Sequence, residues 1–201
     1  MLRVPYGSGS IISIVGIDPG SDTLGTAILW VDLAAMQIVS SSAKTFRGEK
    51  LLSNDSWTES LYGNRLARIW ALENELVHLF EHVQPFMIAS EAPFVNKRFP
   101  QAGLALTEVV CAVKSAVIRF DKWKPLYLID PPTVKRAINA KVMGGEKGKE
   151  EMKRAVLEVS DLHYAGDTPL DTLDEHSVDA LAVAYSRWHS FLKEMNCVEN
   201  P

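Results

Sequence analysis

At 201 residues, 47% of them hydrophobic and 23% charged, the chain fits one domain able to bury its own core, which excludes the disordered and repeat classes. No apolar run approaches the roughly 18 to 20 residues of a membrane span and no secretory signal opens the chain, so a cytoplasmic protein without a membrane partner is expected; Cys111 and Cys197, far apart with no CxxC partner, leave neither a zinc ribbon nor a disulfide framework. The net charge of −4 hides an asymmetry, because residues 97–154 hold 13 of the 21 Lys and Arg but 6 of the 25 Asp and Glu, giving +7, against 8 basic and 19 acidic residues, or −11, elsewhere.

Residues 1–10 read as a loose leader, 11–195 as a single domain and 196–201 as a tail. Ile11 to Ile17 is short and rich in β-branched residues, which predicts a strand buried on both faces, ending at Asp18 before the turn through Pro19 and Gly20. Leu24 to Trp30 and Met36 to Phe46 continue it as an antiparallel meander. Arg47 to Trp57 is polar and predicts a loop before a helix capped near Ser56 or Thr58. From Leu61, apolar residues at Leu66, Ile69, Leu72, Leu76, Phe80 and Val83 recur at helical spacing up to Pro85. His78 and His82 stand four apart on that helix, but without HExxH or a third ligand they read as exposed histidines.

Phe86 to Ser90 is a short apolar strand that stops at Glu91 as the first stops at Asp18. A helical crossover returns a strand parallel to an earlier one, and neighbouring strands lie about 4.8 Å apart, so acids at matching ends can reach one cation. Ala92 to Gln101 is a loop carrying Phe94, Lys97, Arg98 and Phe99, where an aromatic between cations can stack on an unpaired base while the cations hold phosphates. A helix from Ala102 to Phe120, a strand Leu126 to Ile129 and a short helix Thr133 to Ala140 with Lys135 and Arg136 follow. Lys141 to Lys149 is a Gly-rich basic loop containing Lys147 and Lys149; it lacks the GxxxxGK[ST] spacing of a P-loop and reads as a phosphate-contacting or solvated connector. Lys149 to Val159 returns to helix.

The last helix opens on TLDE, residues 172–175, read as a capping box of Thr172 and Glu175. Val178, Leu181, Tyr185, Trp188 and Leu192 form its apolar stripe, while His176 and Asp179 project together from another face that carries Ala182 and Ser186. Each acid taken singly has a structural reading as a turn residue, an ion-pair partner or a helix-start residue. Together Asp18, Glu91 and Asp179, with His176, make an oxygen-rich set suited to Mg²⁺, with Mn²⁺ able to substitute; two such ions can drive phosphodiester hydrolysis.

These same residues resemble a known family. GIDPG with Asp18, the acid and aromatic of EAPFVNK, the VK of PPTVKRAINAK, the basic GxxxK loop and HSVDALAVA are similar to the RuvC-type Holliday junction resolvases over about residues 12–190, the HxxDAL ending being the most specific piece. The resemblance implies an α/β, ribonuclease-H-like fold with a five-stranded mixed sheet flanked by helices. It also implies a homodimer that nicks a four-way DNA junction symmetrically. Carried over by motif, Asp18, Glu91, His176 and Asp179 would be the metal-binding catalytic set, Lys135 and Lys149 basic positions near the scissile phosphate, and Phe94 the stacking aromatic. The loops at 47–57 and 142–144 look longer than in compact bacterial members, which suits a bacteriophage or mobile-element protein acting in a bacterial cytoplasm or a phage-infected cell. Other readings stay open on residues alone: a broader branched-DNA or RNA nuclease of the ribonuclease-H-like superfamily, a non-catalytic junction- or RNA-binding module, and a sugar-kinase-like phosphate loop at GIDPGSDTLG, disfavoured because no second phosphate loop follows.

Overall fold

The computed structural model describes residues 10–52, 56–93, 100–141 and 145–199. Strand β1 (Ile11–Pro19) is buried from Ile12 onward on both faces, as its unbroken apolar run requires. It pairs antiparallel with β2 (Thr23–Asp32), which pairs antiparallel with β3 (Gln37–Arg47). On its other side β1 runs parallel to β4 (Met87–Glu91), and β4 parallel to β5 (Leu126–Ile129), giving the order β3-β2-β1-β4-β5. The expected five-stranded mixed sheet is therefore present. Ile17 lies opposite Ser90, so the next residue on each strand, Asp18 and Glu91, leaves the sheet at the same level.

Helices cover both faces. On one, α3 (Asn64–Val83) and α4 (Pro100–Phe120) pack Leu72, Leu76, Phe80, Val113 and Val117 against Val15, Ile17, Leu24 and Ile88. On the other, α5 (Pro131–Ala137), α6 (Gly145–Leu157) and α7 (Glu175–Glu199) pack Val134, Met152, Leu181 and Trp188 against Ile14, Leu29 and Met87. The centre of α7 is buried on nearly every side, from Ala180 through Trp188, since it lies across the sheet under α5 and α6. Helix and strand meet at Gly16, where a Cβ would overlap the Ala180 carbonyl and the Ala184 amide. The small residues foreseen at Ala182 and Ser186 are buried too, but Ala180 and Ala184 make this closest approach.

Several local expectations are corrected. Residues 48–51 and 56–62 form short helices α1 (Gly48–Leu51) and α2 (Ser56–Tyr62), so the polar stretch is not a plain loop. The helix foreseen from Leu61 is split, because Gly63 takes φ 82° between α2 and α3, a conformation open to glycine. Leu66 faces solvent and Ala67 and Val77 join the core in the α3 stripe. His78 and His82 are exposed, the His82 ring meeting the His78 carbonyl at 2.7 Å. The short helix after β5 starts earlier, at Pro131, because Asp130 caps it by accepting from the Thr133 amide. Gly145 to Lys149, read as loop, is the first part of α6. The capping box at TLDE is not formed: Thr172 donates to the Pro169 carbonyl, and Asp174 caps α7 by accepting from the Ser177 amide at 3.0 Å. Helix α7 continues through Glu199, into the stretch read as a tail.

Replacing Gly16 by alanine forces β1 and α7 apart and is expected to lower stability by about 1–3 kcal/mol, the usual effect of overpacking. A lower urea midpoint at unchanged m-value is the readout.

Candidate active site

Three elements aim acids at one end of the sheet. Asp18 ends β1 and is 9% exposed; Glu91 ends β4, and Asp179 stands on the second turn of α7, both half-buried. Parallel pairing of β1 with β4 fixes the first two, and the close packing of α7 on Gly16 brings in the third. A cleft of about 460 Å³ opens in front of Glu91 and Asp179, walled by Lys135 of α5, Lys149 and Lys153 of α6, and Glu175 of α7.

Burial, reinforced by the charges of Asp18 and Asp179 and opposed by Lys135, pushes the Glu91 carboxyl up to about 8. Burial likewise pushes Asp179 up to about 7, with Asp18 adding to the rise while His176 and Lys135 oppose it. Glu91 and Asp179 share with Asp18 an end of the sheet where their own negative charge is disfavoured, and among the described residues neither of the two is held by a hydrogen bond or ion pair. Such a set suits a hard divalent cation, which would discharge the repulsion and take the free oxygens. Among the described residues no three His, Cys, Asp or Glu side chains are grouped so as to hold a metal ion as they stand. The donor chemistry nevertheless fits Mg²⁺ or Mn²⁺.

His176 is turned to Asp18. Its Nδ1 lies 2.8 Å from Asp18 Oδ2, and its Nε2 lies 2.7 Å from Thr23 Oγ1. With Nδ1–H donating to the carboxylate, the neutral ring accepts from the Thr23 hydroxyl through Nε2. The hydrogen bond to Asp18 raises the His176 pKa, against the opposing effect of burial. Both ring nitrogens are thus engaged in a Thr23–His176–Asp18 chain rather than facing the cleft. The first turn of α7 is pinned by the same hairpin: Thr45 donates to Asp174 Oδ1 at 2.5 Å and lies 2.8 Å from the Ser177 hydroxyl, and Gly25 leaves room for the His176 backbone, which a Cβ there would overlap.

The basic residues divide. Lys135 and Lys149 line the cleft; Lys149 pairs with Glu175 at 2.7 Å and Glu146 at 3.4 Å. Arg136 turns away, its guanidinium donating to the Pro132 carbonyl and the Thr133 hydroxyl. Lys147 is exposed on α6 and does not line the cleft. Phe94, Lys97 and Arg98 lie outside the described residues. Lys153, whose Nζ donates to the Leu173 carbonyl at 3.0 Å, was missed, although its spacing of four from Lys149 places both on one face of a helix. Thr23 and Thr45 were missed as well, since nothing in their local pattern points to partners 153 and 129 residues down the chain.

A mixed sheet of this order with helices on both faces is the ribonuclease-H-like architecture. The chain's fold is similar to that of solved Holliday junction resolvases, the proteins whose motifs the sequence resembles. Thermus thermophilus RuvC in complex with a Holliday junction substrate superimposes with a TM-score of 0.61 at 21% identity, over 92% of this chain and 96% of that one. The yeast mitochondrial Holliday junction resolvase Ydc2 gives 0.57 at 15% identity, over 96% and 83%. The fowlpox virus resolvase complexed with substrate Holliday junction DNA gives 0.55 at 13%, over 90% and 99%. No protein-family model and no curated protein matches the sequence.

The raised acids set a pH dependence. Between their ordinary values of 4.5 and 3.8 and their folded values of about 8 and 7, the folded state holds more protons than the unfolded one, so unfolding free energy falls as pH rises. His176, raised by its partner, acts in the same direction, its contribution being lost as pH rises through its folded pKa. Melting temperatures of the metal-free protein are expected to drop from pH 5 to pH 8, and Glu91→Gln should flatten the slope. An unchanged slope in that variant would contradict the assignment of Glu91 as a proton holder.

Proposed function

We propose that this protein is a divalent-metal-dependent endonuclease that resolves four-way DNA junctions by paired, symmetric nicks, acting as a homodimer in the cytoplasm of a bacterium or a phage-infected cell. The observation that carries this reading is the convergence of Asp18, Glu91 and Asp179 at one end of the sheet, the last two lining a lysine-walled cleft, on a fold shared with proteins solved with junction DNA. A phosphate entering the cleft finds counter-charge from Lys135, Lys149 and Lys153 beside acids that would otherwise repel it. Lys149 exchanges Glu175 and Glu146 for a phosphate oxygen, an exchange of like for like.

Asp18, Glu91 and Asp179 would hold Mg²⁺, two ions in the full complement. When bound, the metal supplies charge neutralisation, a water activated for attack and stabilisation of the leaving oxygen. The chain's own contribution is orientation. His176 fixes one oxygen of Asp18 through Nδ1 and leaves the other oxygen for ligation; its Nε2 becomes a further ligand or a proton carrier only when Thr23 releases it. Phe94, three residues beyond Glu91, takes the role of the aromatic that stacks on a base at the opened crossover, with Lys97, Arg98, Arg136 and Lys147 contacting the backbone of the arms.

Asp18→Asn or Asp179→Asn is expected to abolish Mg²⁺-dependent cutting of a synthetic four-way junction while binding, measured by gel shift, survives. Linear and forked duplexes run in parallel read the substrate breadth, and mapping the nicks reads their symmetry. Wild-type cleavage by either variant would remove these residues from the site. Phe94→Ala should slow junction cutting more than it weakens binding to linear duplex, and a uniform loss on both substrates would mark it as a packing residue.

A further inference from the structure

The cleft holds a carboxylate that the proposed ligand set does not use. Glu175 opens α7 and stands four residues before Asp179, so the two side chains leave one face of the helix, and both line the cleft with Glu91. Glu150 lines it as well, exposed on α6 beside Lys149. Burial raises the Asp179 pKa, and the charges of Asp18 and Glu175 add to the rise, so Glu175 is electrostatically part of the same group. His176, between the two in sequence, points the other way: its Nδ1 meets Asp18 and its Nε2 meets Thr23, leaving Nε2 3.8 Å from Glu175 Oε1. On the first turns of α7 it is therefore Glu175, and not His176, that accompanies Asp179 into the cleft.

A free acid in this position would sharpen the repulsion that Glu91 and Asp179 already suffer, and the chain sets Lys149 against it. The ammonium lies 2.7 Å from Glu175 Oε2 and 3.4 Å from Glu146 Oε1. The other two lysines of the cleft are placed differently: the charge of Lys135 bears on Glu91 and Asp179, and Lys153 donates to the Leu173 carbonyl. The Lys149 and Glu175 side chains are 52% and 44% exposed, and an ion pair so open to water is weak and readily exchanged. A phosphate oxygen is an equivalent partner for the lysine. Once a phosphate takes Lys149, Glu175 is left without its cation beside two further acids, where a divalent ion best compensates its charge.

We propose that Glu175 is a fourth carboxylate ligand for the divalent cations of this site, held in reserve by Lys149 until a phosphate of the substrate takes the lysine. This role rests on the nuclease reading and adds to it a residue and a trigger. Hard cations favour carboxylate over imidazole, so Glu175 suits ligation better than the turned-away ring of His176. Coupling between two ligands is reciprocal: an anion on Lys149 strengthens metal binding by the same factor as the metal strengthens anion binding. The full ligand set thus assembles only with substrate in place.

Titration of the metal-free full chain with Mn²⁺, followed by the electron paramagnetic resonance of the free ion, tests this without any cutting. Glu175→Gln should weaken Mn²⁺ binding by about tenfold or more, since even partners one step removed from a metal have effects of that size. Lys149→Gln, which frees the carboxylate, should tighten it by roughly fivefold or more, and in a Glu175→Gln background that gain should vanish. Lys135→Gln, whose charge bears on Glu91 and Asp179 instead, should tighten Mn²⁺ equally in both backgrounds. Sulfate, a tetrahedral stand-in for phosphate, added at constant ionic strength should tighten Mn²⁺ in the wild type and not in Lys149→Gln. Circular dichroism checks the fold of each variant, and the sulfate titration of the wild type needs no change at Glu175. Unchanged Mn²⁺ affinity in Glu175→Gln overturns the proposal. So does a gain from Lys149→Gln that persists without Glu175, which would make the lysine only a repelling charge, and so does sulfate that acts on both proteins alike or on neither. Asp179→Asn keeps this apart from the nuclease reading. Affinity lost there but intact in Glu175→Gln strikes out Glu175 alone, whereas affinity intact in both variants removes the metal site and the nuclease with it.

Discussion

Like charges held close in a partly dry space repel, and that constraint organises the end of the sheet where Asp18, Glu91 and Asp179 meet. Asp18, Glu91 and Asp179 come from β1, β4 and α7, and each is placed by packing that has no regard for its charge. The chain absorbs the conflict by letting two of the acids take up protons, Glu91 up to about 8 and Asp179 up to about 7, and by giving the third to His176. A resting site arranged in this way is poised: whatever brings positive charge into the cleft is favoured, because it displaces protons from groups that hold them only for want of a better partner.

The scaffold needed to hold three acids against that repulsion is correspondingly stiff. β1 is covered on both faces, α7 is buried through its centre, and their contact at Gly16 leaves no slack. The first turn of α7, which displays His176, is tied to the β2–β3 hairpin by Asp174, Thr45, Ser177 and Thr23. The outer edge of β3 is in turn covered by the passing chain at Tyr164, through backbone bonds with Ser41, which shields an edge that would otherwise invite further strands. The basic side is held more loosely: Lys149 rests on carboxylates it can exchange and Lys147 is exposed on the helix surface.

Much of this was legible from the residues. A β-branched run ending on an acid, repeated at Phe86 to Glu91 after a helical crossover, is enough to foresee two parallel strands with carboxylates at matching ends, and the sheet pairs them as expected. HSVDAL foresaw the third acid. The misses have physical causes. Gly63 divides a helix whose apolar spacing runs straight through it, because spacing registers side chains and not backbone angle. Gly145 to Lys149 looked like a loop on composition, but glycine forbids nothing, and α6 takes it up. TLDE satisfies a capping pattern one step early, since Asp174 competes for the same role and wins through Ser177 and Thr45. The partners of His176 could not be read at all, because Thr23 and Asp18 reach it only through tertiary closure.

That closure has a temporal side. The hydrogen bond that Asp18 accepts from His176 spans 158 positions of the chain, and β1 must wait some seventy residues for β4. During synthesis, where domains are built from the N-terminus at several residues per second, a ribosome displays β1 to β4 and most of the basic helices well before α7 emerges. The growing polypeptide therefore carries an incomplete set of acids until its last helix docks, and Asp179 joins Asp18 and Glu91 only with the completion of the fold.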